Sequence, residues 1–170
     1  MFRSIKPEEL RDNPFSLIGD DWMLITGVKP DGSFNPMTAS WGGLGVLWHK
    51  PVCTVYIRPQ RFTHEFAEEG NRISLSFFPP ERKDTLAYCG RASGRDVDKV
   101  KECGLTPVGK NGHVYYEEAR LVLLCRKLYV DSIKPDGFLE TEPREHYYPE
   151  NDYHTVYVCE IEEVLVKEEK

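Results

Sequence analysis

The sequence predicts a mainly β protein with short helices, folded as one domain over residues 1–170 around a closed antiparallel barrel. Short runs of alternating or β-branched residues recur along the chain, and two Pro-Asp-Gly turns, at 30–32 and 135–137, are of the kind that joins neighbouring strands. Helical patterns are few and short, which argues against a doubly wound sheet. A chain of 170 residues is long enough for one real core and short for two.

The first half of the chain supplies the clearest elements. Strands over 21–28 and 35–40 flank the first Pro-Asp-Gly turn, and Val52–Ile57 and Arg72–Phe78 are β-branched or alternating runs stopped by proline. Between the last two, Thr63–Gly70 predicts a short helix that Thr63 caps.

Two more helices and a strand-rich second half follow. Residues 82–89 and 96–103 have helical patterns, the second opened by a capping-box-like pair, Ser93 and Asp96. Strands are expected over 114–116, 119–133 and 155–166, and only the first dozen and last few residues are expected to be loose.

Composition excludes several classes of protein. Basic residues number 22 and acidic residues 28, so the net charge is −6, which gives no footprint for nucleic acid or an anionic membrane. No apolar run approaches the roughly 20 residues that cross a bilayer, and the N-terminus lacks a secretory h-region, so a cytoplasmic protein is expected.

Five cysteines, an odd number with no C-x-x-C pair, indicate reduced and mostly buried thiols. The five histidines are scattered, so no metal site is expected. The sequence also lacks G-x-G-x-x-G, P-loop, H-E-x-x-H and G-x-S-x-G motifs.

One segment that folding alone explains poorly is 35–42. It places small hydroxyl residues and Trp41 on a strand end that runs into the glycine-rich bend 42–45. Small side chains would let a planar ligand approach the backbone while Trp41 covers one face of it. A strand leaving its sheet at a bulge explains the pattern equally well.

A second segment is 58–63, in which Arg58 and Arg61 lead into a helix N-terminus at Thr63. Helix amides, a hydroxyl and two guanidinium groups converging on one point form a good phosphate site. Alternatively, Thr63 only caps the helix and the arginines are solvated or paired with nearby glutamates. Because Arg61 and Thr63 are expected at the surface of a loop, their loss should weaken anion binding more than the fold. Ser93 to Lys99 is a further helix start, for which capping is the simpler explanation.

These segments occur together in an order that resembles one family. Asn35-Pro36-Met37-Thr38-Ala39-Ser40-Trp41, Arg58-Pro59-x-Arg61-x-Thr63, Arg72–Phe78 and Ser93-Gly94-Arg95-Asp96-x-Asp98-Lys99 are similar to the flavin reductase-like, FMN-binding split barrels, and to flavoredoxins in particular. The resemblance covers roughly the first two-thirds of the chain. It is looser around His154, where Cys159 stands in place of the family's usual glycine.

The resemblance implies a six-stranded Greek-key split barrel that forms a homodimer and binds FMN non-covalently. It implies three groups of cofactor-binding residues: Asn35, Met37, Thr38, Ala39, Ser40 and Trp41 at the ring and ribityl chain, Arg58, Arg61 and Thr63 at the phosphate, and Ser93 and Lys99 beside them. His154 is a candidate for shaping the nicotinamide or acceptor side, with His146 a comparable alternative.

Three functions remain open at this point. The first is an oxidoreductase of the flavin reductase type, passing hydride from NAD(P)H to flavin and on to a small-molecule or protein acceptor. The second is a flavoredoxin-like electron carrier that serves a protein partner without using nicotinamide. The third is a barrel that binds a different phosphate ester without redox turnover.

Overall fold

A computed structural model describes residues 1–168. Its ten strands are β1 (Phe2–Ile5), β2 (Met23–Val28), β3 (Phe34–Ala39), β4 (Gly42–Leu47), β5 (Lys50–Ile57), β6 (Arg72–Phe77), β7 (Pro107–Lys110), β8 (His113–Tyr116), β9 (Leu121–Ser132) and β10 (Thr155–Lys167). Its α-helices are α1 (Pro14–Ser16), α2 (Phe62–Glu69), α3 (Lys83–Arg91), α4 (Lys99–Glu102) and α5 (Thr141–Tyr147). No helix among these residues has both the length and the apolar character needed to span a bilayer.

Eight strands form one antiparallel sheet in the order β3-β2-β6-β9-β10-β5-β4, and β1 pairs with the far half of β10. Although β3 and β4 lie at opposite ends of this order, only Ser40 and Trp41 separate them along the chain. Three Cα–Cα steps of about 3.8 Å cannot span an open sheet, so the sheet curls until its two edges meet. The result is a barrel that is split between β3 and β4.

The barrel interior is one hydrophobic cluster to which most strands contribute, including fully buried Ile25, Val55 and Tyr157. A second cluster lies outside the barrel, where the α3 residues Leu86 and Cys89 pack against the β7–β8 hairpin and β9. Helix α2 packs closely on β2: a Cβ on Gly70 would lie 1.7 Å from the Val28 carbonyl oxygen.

The predicted mainly β fold with short helices, and the split barrel, are confirmed by this architecture. The main sheet has eight strands within residues 1–168, whereas the family resemblance implies six. All five cysteines are unpaired thiols, four of them buried, as the sequence indicates.

Three predictions about elements were wrong. Residues 2–5 are not loose, because they form β1 against Val164–Lys167. The glycine-rich bend 42–45 is part of strand β4, whose backbone pairs with β5. The helix expected over 96–103 spans only Lys99–Glu102, because the side chain of Asp98 caps it by accepting from the Lys101 amide.

Candidate functional site

A cationic cleft lies where the N-terminus of α2 faces the loop between α3 and α4. It has a volume of about 140 Å³, and its lining includes four of the predicted residues, Arg61, Thr63, Ser93 and Lys99, together with residues 90–92. Residue Arg61 is the N-cap of α2 and supplies no side-chain acceptor for the first amides of the helix. The His64 amide donates to the Arg61 carbonyl oxygen at 2.9 Å, but the Phe62 and Thr63 amides have no intrahelical partner, so the cleft combines positive charge with free donors.

Lys99 and Arg61, the two cations of this cleft that are desolvated, have no carboxylate partner among residues 1–168. The side chain of Lys99 is only 3% exposed, and its Nζ donates a long 3.3 Å hydrogen bond to the Cys89 carbonyl oxygen. Burial lowers the pKa of Lys99 to about 8, with a further contribution from the positive charge of Arg61. Burial also lowers the pKa of Arg61. A buried cation without a counter-ion costs free energy, which a bound anion would offset.

The hydroxyl of Thr63 is held in position by a hydrogen bond from the side chain of Asn35. The Asn35 side-chain amide donates to Thr63 Oγ1 at 2.7 Å and to the Pro36 carbonyl oxygen at 3.2 Å. Because Thr63 Oγ1 accepts this bond, its own proton is left to donate into the cleft. The expectation that Thr63 lies at a loop surface was wrong: Thr63 is 1% exposed, in the first turn of α2.

A salt bridge closes the outer side of the cleft. The Arg95 guanidinium pairs with Glu65 in the first turn of α2 and donates to the Gln60 carbonyl oxygen at 3.1 Å. This pairing offsets the negative charge of a carboxylate on the helix whose N-terminus lines the cleft. The Arg95 backbone amide donates to Ser93 Oγ at 3.2 Å, which holds the serine hydroxyl in the loop.

An aromatic pocket of about 180 Å³ continues from the cleft along the end of β3. It is lined by Met37, Thr38, Ala39, Ser40, Trp41, Tyr56, Arg58, Arg61 and His154. The Thr38 hydroxyl donates to the Leu86 carbonyl oxygen at 2.5 Å, so α3 holds the β3 edge. Because Arg61 lines both spaces, the cleft and the pocket adjoin at its side chain, and we call the two together the groove. The fold thus places the predicted segments 35–41 and 58–63 at one site.

The aromatic pocket carries a neutral histidine. The His154 ring lies 5.3 Å from the Trp41 ring, and its Nδ1 shares a 2.8 Å hydrogen bond with Tyr148 Oη. Burial, then the positive charge of Arg58, lowers the pKa of His154 to about 4. The imidazole is therefore uncharged at neutral pH. The alternative, His146, is exposed and packs against Tyr147 outside this pocket.

Arg58 lies at the aromatic end of the groove, away from the cationic cleft. Its guanidinium forms an ion pair with Asp152, donates to the Tyr147 carbonyl oxygen at 2.9 Å and lies 5.2 Å from the Tyr148 ring centroid. These contacts tie the segment carrying Tyr148 and His154 to the end of β5. A direct phosphate contact for Arg58, like a direct ring contact for Asn35, stays a prediction.

Sequence reasoning missed two aromatic residues of the site. Tyr56 faces outward on β5 between the buried Val55 and Ile57, and it lines the aromatic pocket. Both Tyr56 and Tyr148 also line a neighbouring apolar cavity of about 580 Å³, which opens beside Ser40 and Trp41. The sequence signal that could have indicated Tyr56 is an aromatic residue at an outward-facing position of a predicted strand.

Comparison with known proteins agrees with this architecture. The flavin reductase like domain family matches residues 16–170, and the chain belongs to that family. No curated protein matches the sequence.

Solved structures with the same fold are distant in sequence. The flavoredoxin of Desulfovibrio vulgaris (Miyazaki F) is 22% identical, with 96% of this chain and 77% of that chain covered and a TM-score of 0.68. An FMN-binding protein from Thermus thermophilus, with bound p-hydroxybenzaldehyde, is 24% identical over 98% of this chain and 82% of that chain (TM-score 0.67). The flavin reductase of the styrene monooxygenase from Pseudomonas putida S12 is 15% identical over 87% and 80%, respectively (TM-score 0.61).

Proposed function

We propose that this protein binds FMN non-covalently along the groove and acts as an oxidoreductase of the flavin reductase type, with NAD(P)H as the electron donor. The observation that carries the proposal is the cationic cleft, in which Lys99 and Arg61 are desolvated without a carboxylate partner among residues 1–168. Structural cations are normally paired when they are buried. A dianionic phosphate ester is the ligand that fits this charge.

The chain's own groups suit the phosphate end of FMN. The proton of Thr63, the first amides of α2 and the two cations supply charge-assisted donors from several directions. Asn35 and Arg95 would contribute to phosphate binding without direct contact, because Asn35 holds Thr63 in position and Arg95 ties the Ser93 loop to Gln60.

The aromatic pocket suits a planar ring. The end of β3 contributes small side chains, so a ring can approach the backbone, while Trp41 and Tyr56 offer apolar faces. When bound, FMN supplies two-electron chemistry, taking hydride from a nicotinamide and passing the electrons to an acceptor. The neutral His154 imidazole offers this pocket a hydrogen-bonding group that adds no charge at neutral pH.

The neighbouring cavity supports a second ring-shaped ligand beside the first. It shares Ser40, Trp41 and Tyr56 with the aromatic pocket, and Phe15, Ile18 and Ile133 make another part of its wall apolar. A nicotinamide or a planar acceptor placed there would lie against the groove, close to the ring.

We also infer that the protein forms a homodimer. An exposed apolar patch covers the β4–β5 hairpin tip and the C-terminal part of β9, formed by Val46, Leu47, Trp48, Tyr129 and Val130. Trp48 is 55% exposed and lies 6.5 Å from the Tyr129 ring. Patches of this kind are typical of protein interfaces. We expect Trp48→Glu to give a monomer in analytical ultracentrifugation, whereas Leu139→Glu, at a 98% exposed position, should leave the wild-type mass unchanged.

A comparison of FMN with riboflavin tests cofactor binding. Riboflavin has the same ring and ribityl chain without the phosphate, so we expect it to bind at least tenfold more weakly in a fluorescence titration, in line with about 1.5–3 kcal/mol for a charged hydrogen bond. In Arg61→Gln the difference between the two affinities should narrow, because one of the charged phosphate donors is lost. Equal affinities in the wild type, or no binding of either flavin, would reject the proposal.

Anaerobic reduction tests the reaction. Adding NADH or NADPH to the FMN-loaded protein should bleach the flavin absorption within the mixing time of an ordinary assay. Reduction by a ferredoxin-type donor, without any bleaching by either nucleotide, would instead favour the electron carrier, the function suggested by the similarity to flavoredoxin.

A further inference from the structure

Two thiols outside the groove lie close enough to react with each other. The sulfur atoms of Cys89, near the end of α3, and Cys103, just after α4, are 3.8 Å apart, and both cysteines are free. A disulfide requires about 2.05 Å between sulfurs, so an approach of less than 2 Å would join them.

The two cysteines differ in a way that suits a stepwise oxidation. Cys89 is fully buried in the cluster beneath α3, whereas Cys103 is only partly buried. Burial, then the neighbouring Cys103, raises the pKa of Cys89 to about 12. Cys103 is therefore the thiol that an oxidant in solution meets first, and Cys89 waits behind it.

We propose that Cys89 and Cys103 form a reversible disulfide when a hydroperoxide oxidises Cys103. In the first step the Cys103 thiol takes an oxygen atom from hydrogen peroxide, giving the sulfenic acid and water. In the second step the Cys89 sulfur attacks the Cys103 sulfur, the S–O bond breaks, and the Cys89 proton leaves with the hydroxide as a second water. Two thiols and one peroxide thus become one disulfide and two waters, and an added dithiol reverses the change.

The position of this pair links it to the cationic cleft. Cys89 directly precedes Gly90, Arg91 and Ala92, which line the cleft, and the Lys99 ammonium donates to the Cys89 carbonyl oxygen. Helix α4, which carries Lys99, ends at Glu102, directly before Cys103. A bridge from Cys89 to Cys103 would therefore tie together the two elements that hold this wall of the cleft. The bridge itself does not depend on flavin binding.

The chain contains a natural control. Cys53 and Cys125 are even closer, with sulfurs 3.6 Å apart, but both are fully buried in the barrel core. If proximity alone decided the outcome, this pair would oxidise as well. If access for the oxidant decides it, only the Cys89–Cys103 pair will react.

Peptide mapping after oxidation tests the proposal. The full-length protein is treated with hydrogen peroxide, its remaining thiols are alkylated in denaturant, and a proteolytic digest is analysed by mass spectrometry. We expect most chains to yield a peptide pair linked through Cys89 and Cys103, to keep three alkylated cysteines, and to return to five after treatment with dithiothreitol. In Cys89→Ala, dimedone should trap a sulfenic acid on Cys103.

The Cys125→Ser variant should give the same linked peptides as the wild type, whereas Cys103→Ser, which alters only the partly exposed residue, should give none. A link between Cys53 and Cys125, or overoxidation of Cys103 without a link in the wild type, would overturn the proposal.

Discussion

Replacing Lys99 by methionine is expected to stabilise the cofactor-free protein while weakening FMN binding. The ammonium is 3% exposed and has no carboxylate partner within residues 1–168. Burial moves its pKa from 10.5 to about 8. At about 1.4 kcal/mol per pH unit, this corresponds to an unfavourable contribution on the order of 3 kcal/mol at neutral pH. Methionine keeps much of the apolar stem and removes the charge, so the variant should recover a large part of that free energy.

The effect on binding should be opposite. A phosphate at the cleft would be the missing counter-ion, and losing one charged hydrogen bond costs about 1.5–3 kcal/mol, or one to two decades in Kd. Lys101, exposed on the same helix, provides the matched control: Lys101→Met should change neither quantity by more than a few tenths of a kcal/mol.

The pH dependence sharpens the test. Between about pH 8 and 10.5 the unfolded chain keeps the Lys99 proton, whereas the folded chain has lost it. As pH rises through this window, the free energy of unfolding of the wild type should therefore increase relative to that of the Lys99→Met variant. Urea unfolding of the apo-proteins and fluorescence titration with FMN measure both quantities. A Lys99→Met variant that is less stable than the wild type and binds FMN normally would refute the reasoning, because Lys99 would then be a structural residue.

The residues around the groove carry three more predictions. Since the unfolded chain binds the His154 proton below about pH 6.5 and the folded chain only near pH 4, the wild type should lose up to about 3 kcal/mol as pH falls through this range. In urea unfolding, His154→Gln should lack that loss, and an unchanged slope would contradict the assignment. Gly94→Ala should lower the free energy of unfolding by about 1–3 kcal/mol, because its Cβ would lie 2.0 Å from Asn35 Oδ1. Gly45→Ala is the control: its Cβ would meet open space, so the free energy of unfolding should change much less than in Gly94→Ala. Thr63→Ala removes the closer of the two acceptors of the Asn35 amide and leaves only the Pro36 carbonyl oxygen, so apo stability should fall by about 1–3 kcal/mol together with FMN affinity, whereas Thr63→Ser should retain both. A loss of FMN affinity alone would show that the buried hydrogen bond is unimportant.

The sequence predicted the elements whose signals are local. The first Pro-Asp-Gly turn is a hairpin, in which Gly32 has φ +87° and Asp31 accepts from the Ser33 amide at 2.9 Å. Strand β6 ends close to the expected position because Pro79 and Pro80 follow it. In these places the residue types alone determine the backbone conformation, so no distant partner is needed.

Elements that depend on a distant partner were not predictable in this way. Strand β1 has four residues and exists because β10, more than 150 positions later, offers it an edge. Strand β4 contains three glycines, which disfavour a strand, yet its pairing with β5 holds it extended. The β7–β8 hairpin is a different case, since Asn111-Gly112 is a strong local turn signal, and both residues have positive φ in the turn that joins the two strands.

The same division applies to the site. The residue types at 35–41 and 58–63 indicated a ring-binding strand end and an anion site, and the structure joins them through Arg61. The sequence could not show that Arg58 and Arg61 have different surroundings, because the ion-pair partner of Arg58 is Asp152, 94 positions away. It also could not reveal that Lys99 is buried, since a lysine beside two aspartates reads as a solvated surface charge.

The split in the barrel explains why a groove forms at this place. Strand β3 pairs only with β2, so within residues 1–168 its other edge has no strand partner, and Ser40 and Trp41 cross from one edge of the sheet to the other. Backbone N–H and C=O groups along that edge are not hydrogen-bonded to another strand, and such an open edge ordinarily favours aggregation. Here α3 covers part of it through the Thr38–Leu86 hydrogen bond, and the groove borders the rest. A planar ligand with a polar rim would satisfy these backbone groups, so under the proposed function the interruption of the sheet would also provide the donors and acceptors for the ring.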